Sequence, residues 1–292
     1  MVGELLAGRY RIAELAGRGM TGRVRRAHDE LLTRDVAVKQ LPSRPPQRMS
    51  EARIAARVRH PGVAAVHDVI EHDGSSWMVM DYHPGGTLAG LLRHGRRLPP
   101  SLTAALGLQL VAALEAVHAA GIVHCDVKPA NLLLGADGRL VLVDFGIAEG
   151  SDIGPVDPSR AEGFLIGSPP YLAPELVRGE APRPAADVWS LGATLYLAVE
   201  GRLPFCGDDP AETLTAVLNE PPPVPCRAGP LGPLLARLLA KDPADRPGHE
   251  AIRTALALAP EAATLTGPRT PGGAGVDAEA TQHLPASQDA RR

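Results

Sequence analysis

Residues 124–131 read HCDVKPAN, and the tripeptide DFG follows at residues 144–146. The first segment supplies an acid at Asp126, an ammonium group at Lys128 and an amide at its last residue, and the second segment begins with another acid. Asp126 can accept the proton of an attacking hydroxyl, and Lys128 can neutralise charge on a phosphoryl group in transfer. The amide and the second acid offer the hard oxygen ligands that Mg²⁺ prefers. The two segments therefore indicate phosphoryl transfer from Mg·ATP.

A glycine-rich segment near the N-terminus fits the same chemistry. Residues 17–24 read GRGMTGRV, and the segment VAVK follows at residues 36–39. The glycine pattern alone is weak, because dinucleotide-binding folds share it, but in those folds a helix follows the glycines. Here the residues after the third glycine alternate as in a strand, which predicts a β-hairpin whose backbone closely approaches ATP phosphates.

Taken together, these segments resemble the catalytic, magnesium-binding and ATP-binding segments of eukaryotic-type (Hanks-type) protein kinases. The position of Lys128, two residues after Asp126, resembles the serine/threonine kinases, and the loop tip at residues 19–21 resembles bacterial, actinobacterial-like members. The resemblance implies an α+β fold with two lobes and a kinase domain at residues 8–258. A small antiparallel β-sheet lobe with one short helix (about 8–80) would be joined by a hinge (81–83) to a large, mainly helical lobe (84–258).

The resemblance also assigns roles to individual residues. Asp126 would be the catalytic base, Lys128 and Lys39 would contact the ATP phosphates, and Asn131 and Asp144 would bind Mg²⁺ or Mn²⁺. Nucleotide contacts are expected from the glycine-rich loop and from residues around the adenine ring, with Met80 as gatekeeper. These residues are Gly17, Gly19, Gly22, Val24, Ala37, Met80, Asp81, His83 and Leu133.

Glu51 is the expected acid partner of Lys39. Only eleven residues separate the two, and three of these are prolines, so the helix that carries Glu51 must be short. The spacing leaves open whether the ion pair forms without a partner.

Residues 167–175 read GSPPYLAPE and resemble the kinase segment that faces the protein substrate. Ser168 takes the position of a threonine that reaches Asp126 and Lys128 in the family. Two supporting contacts are predicted: an ion pair between Glu175 and Arg246, and hydrogen bonds from Asp187 to the backbone of the catalytic loop.

Cys125 stands where regulated kinases have an arginine that binds a phosphate on the activation loop. Between residues 145 and 167, Ser151 and Ser159 are the only hydroxyl residues. Both facts predict an activity that does not require phosphorylation of that loop. The Cys125 thiol is interpreted as a packed side chain, with a redox switch as the alternative.

Composition narrows the class of protein. The chain has 292 residues, 45% of them hydrophobic, and a net charge of −3, which argues against nucleic acid as the main partner. Three scattered cysteines favour a reduced, cytoplasmic protein without disulfides or zinc. The chain shows no signal peptide, and no apolar run approaches the roughly 20 residues of a membrane span, so neither membrane insertion nor an anchor is expected. Only three lysines occur beside 27 arginines, and two of them are the proposed phosphate ligands.

Periodicity predicts five strands, at Tyr10–Leu15, Val24–His28, Val36–Gln40, Val63–Val69 and Trp77–Met80. It predicts helices at Ser50–Val58, Leu102–Ala120, Asp187–Glu200 and Leu231–Leu239. Residues 261–292 are rich in Ala, Gly, Pro and Thr without periodicity, which predicts a disordered tail. Its hydroxyl residues are either autophosphorylation sites or without a role: Thr264, Thr266, Thr270, Thr281 and Ser287.

Three functions fit the sequence. The first is an ATP-dependent serine/threonine kinase that acts on protein substrates and also on itself. The second is a nucleotide-binding pseudokinase, which the short Lys39–Glu51 interval and Cys125 favour and the retained catalytic residues oppose. The third, a small-molecule kinase, is disfavoured by the peptide-holding segment 167–175. Similar bacterial kinases form homodimers through their small lobes, and the sequence is compatible with such pairing.

Overall fold

The computed structural model describes residues 2–19, 22–41, 56–135, 137–144, 149–150 and 169–258. Within these ranges the chain forms a curled antiparallel sheet followed by a mainly helical part, which confirms the predicted two-lobed α+β fold. The predicted helix Ser50–Val58 lies mostly outside the described residues, apart from Ala56 and Arg57, which are helical, and Val58, which is not. The predicted tail, residues 261–292, also lies outside them.

The small lobe is a six-stranded sheet in the order β1-β2-β3-β4-β6-β5, with antiparallel neighbours throughout. Its strands are β1 (Leu5–Leu6), β2 (Tyr10–Gly19), β3 (Gly22–Asp29), β4 (Arg34–Gln40), β5 (Val66–His72) and β6 (Ser75–Asp81).

The two faces of β4 have different roles. Side chains alternate along a strand, so Val36 and Val38 share one face while Ala37 and Lys39 share the other. Val36 and Val38 are fully buried in the core of the sheet with residues such as Trp77. Ala37 belongs to a second buried cluster. The alternation therefore places Lys39 on the face of Ala37, away from the main core of the sheet.

The strand predicted at Val63–Val69 starts later in the structure. Val63 forms a bridge with Leu142 of the large lobe, and the amide of Ala64 donates to the carbonyl of Leu142. Pairing with the sheet begins only at Val66. Tertiary contact with the other lobe, invisible to local periodicity, explains the difference.

The large lobe contains helices α1 (Leu88–Leu91), α2 (Pro100–Ala119), α3 (Pro174–Val177), α4 (Pro184–Glu200), α5 (Pro210–Asn219), α6 (Gly232–Leu238) and α7 (His249–Ala257). It also contains four short strands, β7 (Ile122–Val123), β8 (Leu132–Leu134), β9 (Leu140–Leu142) and β10 (Glu149–Gly150), paired β8 with β9 and β7 with β10. The helices predicted near α2, α4 and α6 are confirmed within a few residues. The short elements were not predicted, since a turn or two of helix depends on packing more than on its own periodicity. Helices α5 and α7 were also not predicted, although each buries one face: Thr213, Ala216 and Val217 in α5, and Ile252 and Leu256 in α7.

The central helix of the large lobe corrects one expectation. Helix α2 is 20 residues long, and by length and composition alone it is apolar enough to cross a membrane, contrary to the sequence analysis. Half of its most apolar window is buried within the protein, and the helix packs against α4 and α7. Its apolar character is explained by its place in the core.

A buried ion pair fixes the start of α3 to the C-terminal part of the lobe. The guanidinium of Arg246 donates to both carboxylate oxygens of Glu175, at 2.6 and 2.8 Å, and to the carbonyls of Ala185 and Ala240. Both side chains are almost fully buried. The predicted pair is confirmed, and the extra backbone bonds help to compensate for the desolvation of the Arg246 guanidinium.

Lys241, the third lysine, is structural. Its ammonium lies 3.9 Å from the ring centroid of Phe205 and donates to the carbonyl of Val217 in the last turn of α5. A cation at a helix C-terminus is favourable because of the helix dipole. Burial lowers the pKa of Lys241 to about 8.

Candidate active site

The segment HCDVKPAN connects β7 to β8 and ends in a 3₁₀ turn at Pro129–Asn131. The Lys128 ammonium donates to both carboxylate oxygens of Asp126, each at 2.8 Å. The Asn131 amide nitrogen donates to the Asp126 carboxylate and to the Asp126 carbonyl, each at 2.9 Å. Asp126 is only 6% exposed, and its carboxylate is held by Lys128 and Asn131, two of the residues that the sequence analysis identified.

Lys39 and Asp144 meet across 105 residues of sequence. The Lys39 ammonium lies 2.5 Å from Asp144 Oδ1, and Lys39 is almost fully buried. A buried ammonium requires a compensating charge, and the Asp144 carboxylate provides it. The amide of Val143 donates to the carbonyl of Asn131, so a backbone bond ties this pair to the catalytic loop.

The donor set fits a magnesium ion with phosphate. Both side-chain hydrogen bonds of Asn131 use its amide nitrogen, and its amide oxygen takes part in neither. That oxygen and the carboxylate of Asp144 are hard ligands of the kind Mg²⁺ prefers. Lys39 and Lys128 would supply positive charge for the phosphates. When bound, the ion would neutralise charge on the phosphate oxygens.

Asp187 organises the backbone that leads into Asp126. Its carboxylate accepts hydrogen bonds from the amides of His124 and Cys125, both at 2.8 Å, which confirms the contact predicted from the sequence. His118 lies with Nε2 2.7 Å from the same carboxylate. Burial alone would raise the pKa of Asp187, but the hydrogen bond from His118 and the nearby amides outweigh it and lower the pKa.

Two histidines extend this contact toward the surface. Because the Asp187 carboxylate is an acceptor only, His118 Nε2 carries a proton and donates a hydrogen bond to Asp187, and His118 Nδ1 lies 2.9 Å from His249 Nε2. His118 lies in the last turn of α2, and His249 begins α7, 131 residues later. The sequence analysis missed both residues, since nothing local to either histidine indicates the other.

His124 links the catalytic loop to the segment before Asp144. Its Nδ1 accepts from the amide of Asp126, and its Nε2 lies 3.3 Å from the carbonyl of Val143. Complete burial lowers the pKa of His124, which is consistent with a neutral ring that accepts on one nitrogen and donates on the other.

The glycine-rich segment forms the predicted hairpin. Strands β2 and β3 pair up to the partners Gly17 with Val24 and Gly19 with Gly22. Extended pairing on both sides of the loop excludes a helix after the glycines, and with it the dinucleotide-binding arrangement.

The predicted adenine-binding residues come from both lobes. Ala37 pairs with Met80 across the sheet, and both are buried in one cluster against which Val24 packs. Leu133 lies on β8 of the large lobe and is partly buried. Asp81 and His83, at the junction of the lobes, are also partly buried.

Cys125 has an unusual backbone. Its φ is +64°, a left-handed conformation that is uncommon outside glycine. The thiol is buried, 3.6 Å from the carbonyl of Val123, which favours a packed side chain over a redox switch. Asp144 is also left-handed, with φ +72°.

Several predicted residues lie outside the described part of the chain, and their roles stay predictions. They are Glu51, Ser151, Ser159, Ser168 and the hydroxyl residues of the tail.

The chain is similar in sequence to known protein kinases. A family model described as protein kinase domain matches residues 10–256. The serine/threonine-protein kinase PknA of Mycobacterium tuberculosis is 40% identical over 236 residues, covering 76% of this chain and 54% of PknA. A probable serine/threonine-protein kinase of Streptomyces coelicolor is 37% identical over 255 residues, covering 82% of this chain and 38% of its own length. PknB of Mycobacterium leprae is 34% identical over 258 residues, with 82% and 41% coverage.

The chain therefore spans about half or less of the length of these curated relatives.

Two histidines with lowered pKa values, His124 and His249, generate a prediction about the pH dependence of stability. Burial, aided by the neighbouring His118, lowers the pKa of His249, and burial lowers that of His124. An unfolded histidine has a pKa of about 6.5, so below that pH the unfolded chain binds more protons than the folded chain. The free energy of unfolding should be highest above about pH 6.5 and fall as the pH drops toward 5.

Urea unfolding at pH 7.5 and at pH 5.5 measures this effect. We expect His249→Gln to lose less stability between the two pH values than the parent chain does. His94→Gln, at an exposed histidine, serves as the control and should lose as much as the parent. If His249→Gln and the parent lost equal stability between the two pH values, His249 would not contribute to the pH dependence, and the prediction would be contradicted.

Proposed function

The chain belongs to the protein kinase domain family, and from that premise we propose that it is an ATP-dependent serine/threonine protein kinase. The observation that carries the proposal is that the Lys39–Asp144 pair is tied to the cluster of Asp126, Lys128 and Asn131, because the residue before Asp144 donates its amide to the carbonyl of Asn131. Positioning and charge neutralisation are what phosphoryl transfer requires of a protein. The relatives named serine/threonine-protein kinase support the same class of acceptor.

Each side chain has one task in this proposal. The Asp126 carboxylate orients the substrate hydroxyl and accepts its proton as the phosphoryl group is transferred. Lys128, already held against Asp126, neutralises negative charge on the transferred group. Lys39 binds the phosphates that remain with the nucleotide, and Asn131 and Asp144 hold Mg²⁺ or Mn²⁺.

The substrates we propose are proteins with serine or threonine acceptors, including the chain itself. We further propose a cytoplasmic location, with neither nucleic acid nor membrane insertion involved. A net charge of −3 with both signs mixed along the chain supports this choice of partners.

Self-association through the small lobe is a further part of the proposal. Leu31 and Leu32, in the turn between β3 and β4, are 71% and 54% exposed. Single exposed leucines are ordinary, but two adjacent ones favour a contact surface.

Sedimentation velocity should show concentration-dependent dimers that Leu31→Glu abolishes and that the exposed control Val224→Glu retains. A parent chain that stays monomeric at all concentrations would contradict the dimer.

The main test is transfer of radiolabelled phosphate from ATP, with Mg²⁺ or Mn²⁺, to the chain itself and to a generic basic protein. Asp126→Asn should lower transfer by roughly 10²- to 10⁴-fold, because the variant lacks the proton acceptor. Asp245→Asn, at an exposed aspartate, should leave the rate unchanged. Mapping the labelled residues by mass spectrometry shows whether Ser151, Ser159 or the tail is autophosphorylated.

The same assay separates the kinase from its alternative. Label on serine or threonine that disappears in Asp126→Asn supports the proposal. A folded chain that gains thermal stability with ATP but transfers no label would contradict it and favour a nucleotide-binding pseudokinase.

Independence from activation-loop phosphorylation is a separate prediction. Cys125 occupies the position of the phosphate-binding arginine, so a phosphate on the loop has no neighbouring arginine at that position. Phosphatase treatment should therefore change activity by less than about twofold. The double variant Ser151→Ala, Ser159→Ala should behave like the parent. A tenfold or larger loss that rephosphorylation reverses would overturn this prediction.

A further inference from the structure

A small pocket opens beside Lys128. Its volume is about 170 Å³, and it lies against the 3₁₀ turn of the catalytic loop and the helices α1 and α4. Its lining residues are Ala89, Leu92, Lys128, Pro129, Ala130, Tyr171 and Leu197.

The lining is apolar on almost every side. Among the lining residues that the structure describes, Lys128 is the single charged group, and its ammonium is turned to the Asp126 carboxylate. No aspartate or glutamate lines the pocket within this part of the chain. Burial raises the pKa of Tyr171 above its usual value, which keeps the phenol uncharged.

The size of the pocket suits one apolar side chain. An apolar cavity of about 150 Å³ accommodates benzene. A leucine, isoleucine, methionine or phenylalanine side chain therefore fits, and its burial is favourable. For an arginine or lysine side chain the described lining offers no carboxylate of its own, because the nearby Asp126 carboxylate is already paired with Lys128, so a basic side chain gains less from the pocket than an apolar one.

The position of the pocket, next to Asp126, favours the protein substrate as the molecule that occupies it. Lys128 contributes to the pocket and also holds Asp126, where the proposed function places the substrate hydroxyl. An extended peptide advances about 3.3 Å per residue, so a side chain within three residues of the acceptor reaches the pocket. Tyr171, which also lines the pocket, belongs to the segment 167–175 that is expected to face the protein substrate.

We propose that this pocket is a specificity site, which receives an apolar side chain of the protein substrate within three residues of the phosphorylated serine or threonine. The inference rests on the proposed kinase function and adds a class of substrate to it. At the substrate position whose side chain enters the pocket, leucine, isoleucine, methionine or phenylalanine is preferred, and arginine or lysine is disfavoured.

A positional-scanning peptide library tests the proposal. Each peptide carries a fixed serine acceptor and one fixed residue at one of the three positions on either side of it, and transfer from radiolabelled ATP is measured. The parent chain should prefer apolar over basic residues by about tenfold at one or more of these positions, because the apolar side chain is buried.

A substituted pocket wall sharpens the test. Ala130 is exposed, so Ala130→Glu adds a carboxylate to the wall at little cost in folding. We expect the variant to shift the preference at the same peptide position toward arginine and lysine by about fivefold or more, with the other positions unchanged. The preference is a ratio of rates, so a change in overall activity does not obscure it. If Ala130→Glu is inactive, Ala89→Glu adds the carboxylate from another part of the lining.

Leu258→Glu is the matched control, since it adds the same charge at an exposed residue after α7 and outside the pocket lining. It should reproduce the preferences of the parent chain. An active parent with no apolar preference at any flanking position would overturn the inference while leaving the proposed function intact. An unaltered preference in an active glutamate variant would also overturn it. A parent that labels no peptide and no protein would remove the proposed function and this inference with it.

Discussion

The carboxylate of Asp187 is the contact on which the rest of the site depends. It accepts hydrogen bonds from the amides of His124 and Cys125 and lies against His118, all within the core of the large lobe. Cys125 adopts a left-handed backbone, a conformation that costs a residue other than glycine of the order of 1–3 kcal/mol. The two backbone bonds hold the chain in that turn. The next residue, Asp126, is thereby placed where Lys128 and Asn131 can reach it.

A buried carboxylate is costly unless its environment compensates for lost water. Asp187 lies in the first turn of α4, where the helix dipole favours negative charge, and it receives donors from three other residues. The compensation exceeds the cost, since the pKa of Asp187 is lowered despite complete burial. His118 is oriented in turn by His249, so α7 supports the catalytic loop although it lies far along the sequence.

The sequence predicted features that short motifs encode. The catalytic loop, the glycine hairpin and the contacts of Glu175 and Asp187 are all found where they were expected. The contacts from His118 to His249 and from Val63 to Leu142 were not predicted, because they join distant segments whose local patterns carry no trace of the partner. The apolar pocket beside Lys128 likewise arises from four separate segments of the chain. The pairing of Lys39 with Asp144 was also not predicted, since both residues had been assigned to ligands.

The most direct measurement is amide hydrogen exchange across residues 123–126 in Asp187→Asn and in the parent chain. A hydrogen bond to a charged group contributes about 1.5–3 kcal/mol, so the substitution should speed exchange of these amides by about tenfold or more and lower phosphoryl transfer with it. Asp209→Asn, which removes a carboxylate that accepts an amide hydrogen bond at the start of α5, should leave residues 123–126 unaffected. Unchanged exchange at these residues in Asp187→Asn would contradict the central role of Asp187.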